Sequence, residues 1–449
     1  MKTSALKYSI LSWVSGLSAL ILLLMPFHAF LTVWASSFIG HYTALRLWKE
    51  VILLIIGLGT LFLIAIDHKI RSHTLTRRLV WLILSYVVLN VLYGLYVYSR
   101  GDVSAKALGY GLIVDLRFPL FFLVTWATAL RTRRLRYHWQ GLVLWAAGGV
   151  VLLGLLQAFI LPNNFLSHFG YGASTIDAFE TINSNNNYVR VASTLRGANP
   201  LGAYLIVPIT VLTMILVRTK LRRNWQFGLL GGALIALFFS FSRSAWIGAA
   251  VAVAVVLGLS LQSKKLQRQV LVVAGVSLIA LAGLGLALRD NSQFQNVFFH
   301  TEDKSVVKTS SNDGHLSALK DGVSDIAHEP LGGGPGTAGP ASVYNPHETR
   351  IAENYFIQIG QETGLLGMAL FILINIGVGY LLWSRRADPL ALSLFASLIG
   401  LTLVNLLSHA WADDTLAYVW WGLAGIAMAP SLDKTSDSDK ADSVKDTSK

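Results

Sequence analysis

The sequence predicts an all-α, polytopic integral membrane protein with about twelve transmembrane helices and a large extracytoplasmic loop between the ninth and tenth. Three observations carry that expectation. The 449 residues are 54% hydrophobic and only 13% charged, about half the charge that a soluble domain carries. The apolar residues fall in runs of roughly 20, the length a helix needs to cross a hydrocarbon core. Lys and Arg gather in alternate loops, as they do when a chain threads back and forth through a membrane. This composition excludes a water-soluble enzyme, a nucleic-acid-binding module and a disordered chain. With no cysteine, disulfides, thiolate metal sites and a cysteine nucleophile are excluded as well, and the redox compartment is unreadable.

The apolar runs lie at about 9–29, 47–66, 79–98, 107–129, 141–161, 201–217, 227–241, 245–261, 269–288, 364–383, 390–408 and 415–430. The first follows Lys2 and Lys7 as a signal peptide would. Its run is too long, however, and no small-residue cleavage pattern follows, so it reads as a retained helix. The seventh and eighth are short and joined only by Ser242-Arg243-Ser244, which predicts a tight membrane hairpin.

Placing the N-terminus inside puts 23 of the 36 Lys and Arg residues in the segments that then face the cytoplasm. The outward loops hold few of them although they are much longer. Both termini are therefore expected in the cytoplasm, in a cell (inner or plasma) membrane. The net charge of +12 is then mostly a topology signal, and no nucleic-acid partner follows from it.

The chain divides into N-terminal helices (1–161), an extracytoplasmic loop (162–200), central helices with the Arg243 hairpin (201–288), a large extracytoplasmic loop (289–363), C-terminal helices (364–430) and a tail (431–449). The tail mixes Ser, Asp, Lys and Thr without aromatics and reads as disordered. The two long loops carry aromatics, glycines and histidines, and loops of more than about 15 residues are usually functional when ordered. No internal repeat and no strand-dominated stretch is apparent.

The residues that could carry chemistry lie in those loops. Arg190 and Arg196 stand at the mouth of the sixth span, where positive charge is otherwise sparse. A guanidinium binds phosphate oxygens bidentately and stays charged, although an interfacial arginine can also simply snorkel. Arg243 sits among Phe238, Phe239, Phe241 and Trp246. An arginine at membrane depth costs about 2.5–3.5 kcal/mol, so it should face a polar cavity or an anion, or else reach the lipid headgroups. Asp115 and Arg117, inside the fourth span, are expected to pair with each other.

The large loop contains Gly314-His315-Leu316. The stretch His328-Glu329-Pro330-Leu331-Gly332-Gly333-Gly334-Pro335-Gly336 lacks the Gly-Lys-Ser/Thr of a nucleotide loop. It reads as turn-rich backbone that permits close approach. His347 follows in Asn345-Pro346-His347-Glu348. Asn354, Gln358, Gln361 and Glu362 then share one helical face and Ile351, Tyr355, Phe356 and Ile359 the other, predicting an amphipathic helix that leads straight into the tenth span. Glu353, at its start, is either a cap or a catalytic carboxylate.

The arginine loop before a span, the hydrophobic hairpin with Ser-Arg-Ser, and the glycine-rich loop leading to Asn354 and Glu362-Thr363-Gly364-Leu365-Leu366-Gly367 together resemble the O-antigen ligase/polymerase superfamily. The resemblance is strongest from Arg190 to Gly367. It implies an extracytoplasmic, inverting glycosyl transfer without metal or other cofactor. The donor is a glycan on polyprenyl diphosphate, and the acceptor a hydroxyl on a glycan, lipid or protein, with membrane lipid around both.

Carried onto these residues, the resemblance implies that Arg190, Arg196 and Arg243 hold the diphosphate. The ligases usually have His-Asn where this chain has Glu353-Asn354, and His347 lies six residues earlier, so Glu353 and His347 are the candidate catalytic groups. His315, Asn354 and Gln358 are expected to support the acceptor or the loop. A polysaccharide-lipid flippase or transporter is the competing class, but such proteins tend to show internal repeats.

Overall fold

The computed structural model describes residues 2–182, 185–219, 223–261 and 311–429, with a few isolated positions between 263 and 287. The expected ninth span, the start of the large loop and the tail fall almost wholly outside the described residues.

Nearly all of the described chain is helical. α1 (Lys2–Leu24) passes through a 3₁₀ turn at Met25–Phe27 into α2 (His28–Ile39), where Pro26 interrupts the hydrogen-bond ladder. The short α3 (Tyr42–Leu45) precedes α4 (Trp48–Ile66), α5 (His68–Leu75), α6 (Arg78–Ser99), α7 (Ala105–Ala129) and α8 (Arg134–Phe159). The 162–200 loop contains a 3₁₀ turn and an antiparallel hairpin of β1 (Glu180–Ile182) and β2 (Asn185–Arg190), with Glu180 opposite Arg190. Strands of three and six residues are too short to leave an alternation in the sequence. Then come α9 (Ala198–Arg218), α10 (Asn224–Phe239), α11 (Arg243–Ser260), α12 (Ser311–His328), α13 (Tyr355–Ser384), α14 (Pro389–Leu407) and α15 (Asp414–Met428).

Among the described residues, nine helical segments are long and apolar enough to cross a membrane. Of the twelve expected spans, the ninth lies outside the described residues. Two of the expected spans are helices too short to qualify: α10 has 16 residues and α15 has 15. At 1.5 Å per residue they run about 24 Å and about 22 Å, less than the ~30 Å hydrocarbon core. α15 tolerates this because every one of its residues is buried. It packs against α7, α9 and α14, so its ends meet protein rather than lipid.

The central helices also differ from the expected hairpin. α10 and α11 are joined by a tight turn, but they scarcely pack on each other. α10 leans on α8 and α9, and α11 on α9 and α14. α9 is the reason: its residues from Leu201 to Leu216 are continuously buried, and both neighbours use it as their apolar partner. Around it the core is aromatic. Phe118 meets Trp421 at 5.1 Å, and Trp420 lies 5.3 Å from both Trp411 and Trp421. The outer wall is apolar too, with Leu54, Leu58, Leu61, Trp145, Leu152 and Ile376 exposed, a surface that only lipid tails would cover favourably.

The loops that the charge pattern placed together do meet at one end of the bundle. Asp67 caps α5 through the Lys69 and Ile70 amides and binds both Lys7 and Arg131, the latter bidentately at 2.8 and 2.9 Å. Arg136 reaches Asp388 at 3.6 Å and the Ala429 carbonyl at 2.7 Å. Arg218 donates to the Arg386 and Ala387 carbonyls. Burial alone would raise the Asp67 pKa, but the hydrogen bonds from Arg131 and Lys7 outweigh it and hold the carboxyl below its ordinary range.

Since the native chain has no cysteine, single-cysteine variants can report the sidedness of each end. Ser167→Cys and Ser324→Cys, both at exposed positions, should react with an impermeant maleimide in intact cells. Ser72→Cys should react only after permeabilisation. The reverse pattern would place the arginine loop in the cytoplasm.

Candidate functional site

At the opposite end of the bundle the first turns of α9 and α11 converge. Gly202 makes this possible, since a Cβ there would stand 2.8 Å from the side chains of both Ser242 and Ala245. Arg190, at the end of β2, bridges this junction. Its Nε donates to the Ser240 carbonyl at 3.0 Å, its Nη2 to Asn199 Oδ1 at 2.6 Å, and its Nη1 faces Glu180 at 3.5 Å. Burial pushes the Arg190 guanidinium down from its ordinary value, with Glu180 pulling the other way. Arg243 is the first residue of α11 and lies within coulombic reach of Arg190. Two like charges beside two helix N-termini, each a partial positive charge, make a locus that anions favour.

Glu180 extends this corner. Its Oε1 accepts from the Ala198 amide at 3.4 Å, and it lines a cavity of about 350 Å³ with Arg196, Arg46, Tyr42, His28 and Asp414. Arg196 pairs with Asp413 at 3.2 Å. Burial pushes the Asp413 carboxyl above its ordinary value, with Arg196 opposing. Beneath lies a buried charge network. Asp414 sits 3.2 Å from His28 and 3.1 Å from Lys49, and Arg117 donates to the Ala412 carbonyl at 2.5 Å while facing Glu50 and Asp414. The expected Asp115–Arg117 pair is absent among the described residues. Two residues apart on a helix, the side chains diverge by about 200°. Asp115 instead accepts from Tyr355 at 3.4 Å.

Next along the same face stands Glu353. Its backbone is left-handed (φ 52°), a conformation rare outside glycine. Its Oε2 lies 3.6 Å from His315 Nδ1 and 3.9 Å from His409 Nδ1. Glu353 is not the cap of the following helix. That role belongs to Asn354, whose Oδ1 accepts from the Phe356 and Ile357 amides at 2.9 and 3.1 Å. The Asn354 amide also donates to the Leu406 carbonyl at 3.1 Å, tying α13 to the end of α14 beside His409. Burial pushes the His409 imidazole below its ordinary value of 6.5, although the Glu353 carboxylate opposes the shift.

The amphipathic helix does not lead straight into the next span. Thr363 (φ −121°, ψ 17°) and Gly364 (φ 65°, ψ −168°) break α13, and its polar face is turned inward, with Asn354, Gln358, Gln361 and Glu362 all buried. The glycine-rich loop explains both. At the break the Gln361 and Glu362 carbonyls lack helical partners, and they accept instead from the Gly333 and Gly334 amides at 2.8 and 2.7 Å. The Leu365 amide returns a bond to the Pro330 carbonyl at 3.0 Å, and Glu362 Oε1 accepts from the Gly336 amide at 2.8 Å. A Cβ on Gly332 would meet Gly364 N at 2.5 Å.

Residues 227–372 match the family model described as O-antigen ligase. Over these residues, about a third of the chain, the protein is similar to O-antigen ligases. No curated protein matches the chain. The O-antigen ligase match takes in Arg243, α12, the glycine loop and Glu353, and leaves Arg190, Arg196 and His409 outside it.

Of the residues singled out in the sequence, Arg190 and Arg243 come together, Arg196 lines the adjoining cavity with Glu180, and His315 meets Glu353. Gln358 is buried against Gly339, where it packs the loop. His347 is exposed and lines a separate groove that Glu353 does not line. Sequence reasoning missed His409, Glu180, Arg46 and the Asp413-Asp414 pair. The adjacent carboxylates between two apolar runs were a readable signal, because charge that deep is retained only with partners.

Two outcomes follow. Gly364→Ala forces a Cβ onto a left-handed backbone against the Pro330 segment, which should cost about 1–3 kcal/mol and lower the thermal midpoint of the detergent-solubilised protein. Gly228→Ala, in open space on α10, should leave it unchanged. For His409, the unfolded chain binds a proton that the folded one resists. Stability is therefore complete above about 6.5 and lost as pH falls toward the depressed folded value. Thermal midpoints measured from pH 7.5 to 5 should decline less in His409→Asn than in the parent, and equal slopes would refute this.

Proposed function

We propose that this protein transfers a glycan from an extracytoplasmic polyprenyl-diphosphate carrier to an acceptor hydroxyl, with inversion and without metal. The observation that carries this reading is the convergence of Arg190 and Arg243 on the N-termini of α9 and α11, on the face that also carries Glu353.

The acceptor oxygen attacks the anomeric carbon as the carbon–oxygen bond to the diphosphate breaks. The electron pair leaves on the polyprenyl diphosphate, whose growing negative charge needs fixed cations nearby. Arg190 and Arg243 supply them, with Arg196 behind. Their positions are set before substrate arrives, so little reorganisation is required in the transition state. Glu353 takes the acceptor proton, and His315 is placed to pass it on to solvent. His409, buried and uncharged near neutrality, offers Glu353 a ring nitrogen rather than a counter-charge. The polyprenyl tail would run down the apolar wall between helices.

The test is transfer of labelled glycan from polyprenyl diphosphate by the purified protein. Arg190→Ala and Arg243→Ala should abolish transfer with the protein still inserted and monodisperse. Lys at either position should recover little, since a point charge does not reproduce the guanidinium fork. Glu353→Gln should slow transfer on the order of 10²–10⁴-fold with donor affinity unchanged, and Glu353→His should restore part of it. Movement of the lipid-linked glycan across vesicles with no new glycosidic bond would favour a transporter instead.

A further inference from the structure

α12 is a wall with two sides. His315 faces Glu353, while its neighbour Gly314 lines a second cavity of about 1250 Å³, as does Ile351 two residues before Glu353. This cavity exceeds the 300–1,000 Å³ usual for small-molecule sites, so it suits an oligomer rather than a single ring. The end of α6 forms its opposite wall. There Tyr93 and Tyr96 stack at 6.1 Å with an interplanar angle of 23°, and the Tyr93 hydroxyl is fixed by the Gly332 carbonyl at 2.6 Å. A pair of ring faces held in this way offers the flat apolar platform on which the C–H face of a sugar packs.

The polar lining is complementary to hydroxyl donors. Gln361 is 3% exposed and lines the cavity. Its Nε2 donates to Asp325 at 2.7 Å, while its Oε1 has no partner among the described residues. A buried acceptor left unmet is costly, and a small turn of the Gln361 side chain would bring it to a sugar hydroxyl. Five carboxylates (Asp102, Asp321, Asp325, Glu329 and Glu348) line the cavity against two arginines. Both arginines are already engaged, Arg100 with Asp102 at 3.2 Å and Arg350 with Glu329 at 2.8 Å. The cavity is thus acidic, the opposite sign to the arginine corner across Glu353.

We propose that this groove binds the acceptor glycan chain and selects neutral or amino-bearing sugars over acidic ones. The assignment rests on the reading that Glu353 takes the acceptor proton, because the groove would deliver the chain end beside it. Carboxylates accept hydrogen bonds from sugar hydroxyls and attract ammonium groups, and they repel uronates.

Full-length protein in nanodiscs would be titrated with three hexamers: chitohexaose (neutral), hexaglucosamine (cationic) and hexagalacturonate (acidic). The first two should bind the parent and the third should not. Tyr96→Ala, at an exposed position, should weaken binding of both on the order of tenfold, the usual cost of losing a central aromatic contact. Asp321→Lys should weaken hexaglucosamine and admit hexagalacturonate. Failure of both favoured hexamers to bind, binding indifferent to Tyr96→Ala, or hexagalacturonate binding as tightly as chitohexaose would each overturn the proposal. Glu353→Gln should bind the hexamers like the parent. If hexamer binding behaves as expected but the parent transfers nothing, the transferase reading falls and the groove stands. If transfer occurs and Tyr96→Ala leaves the acceptor KM unchanged, the groove falls alone.

Discussion

The break in α13 at Thr363–Gly364 is the constraint on which the site depends. A helix that ends inside a protein leaves carbonyls that must be satisfied, and in an apolar bundle water is not there to do it. The Gly332–Gly336 loop supplies the amides, and only residues without side chains let two backbones approach so closely. Once the loop is docked, much else is fixed with it. The short helix from Tyr355 to Glu362 acquires a defined end, its Asn354 cap is pulled against α14, and Glu353 is left projecting between His315 and His409. Glu362 is tied to the loop through the Gly336 amide. The same loop lends Gly332 and Gly333 to the wall of the acidic groove.

Electrostatics divides the face that this clamp organises. Arg190 and Arg243 stand together at the positive ends of α9 and α11. Glu180 sets a negative charge beside Arg190 from the opposite strand of the hairpin. A carboxylate between a guanidinium and the Ala198 amide occupies the kind of position a phosphate oxygen would take. Beneath, the Asp414–Lys49–His28–Arg117 network keeps formal charges in the bundle only by pairing them, as burial of ions demands. Removing one member would strand the others.

Much of this was legible in the sequence, and the reasons for success and failure are physical. Span positions follow from hydropathy and length alone, so helices stand where apolar runs were read at every described position. Whether a helix is long enough to cross depends on what surrounds its ends, which is why α10 and α15 fall short. Arg190 and Arg243 were readable because a charge beside apolar aromatics needs a reason. His409 was not, because its meaning comes from a contact with Glu353 that is 56 residues away in sequence. The polar face of the 355–362 helix was readable as a face, but not what that face would meet. Periodicity reports which residues lie together, and only packing decides what they meet. The helix break was similarly hidden, since Gly364 inside an apolar run is as compatible with a tolerated glycine as with a left-handed turn.

Glu353 is where these strands of argument join. A left-handed backbone at a glutamate costs on the order of 1 kcal/mol or more, and the following helix does not need it, since Asn354 already supplies the cap. Were capping its purpose, the strain would be lost with nothing gained. What the conformation does achieve is direction. It turns the carboxylate away from the amides of its own helix, toward two imidazoles and the boundary between the basic corner and the acidic groove. Local strain kept by surrounding packing is what the proposed role of Glu353 as proton acceptor would call for. The neighbours fit that reading: burial lowers the His409 imidazole, while Arg190 is bound to the Ser240 carbonyl and Glu180, and Arg196 to Asp413. A carboxylate in that setting keeps its lone pairs available to a donor that arrives from outside.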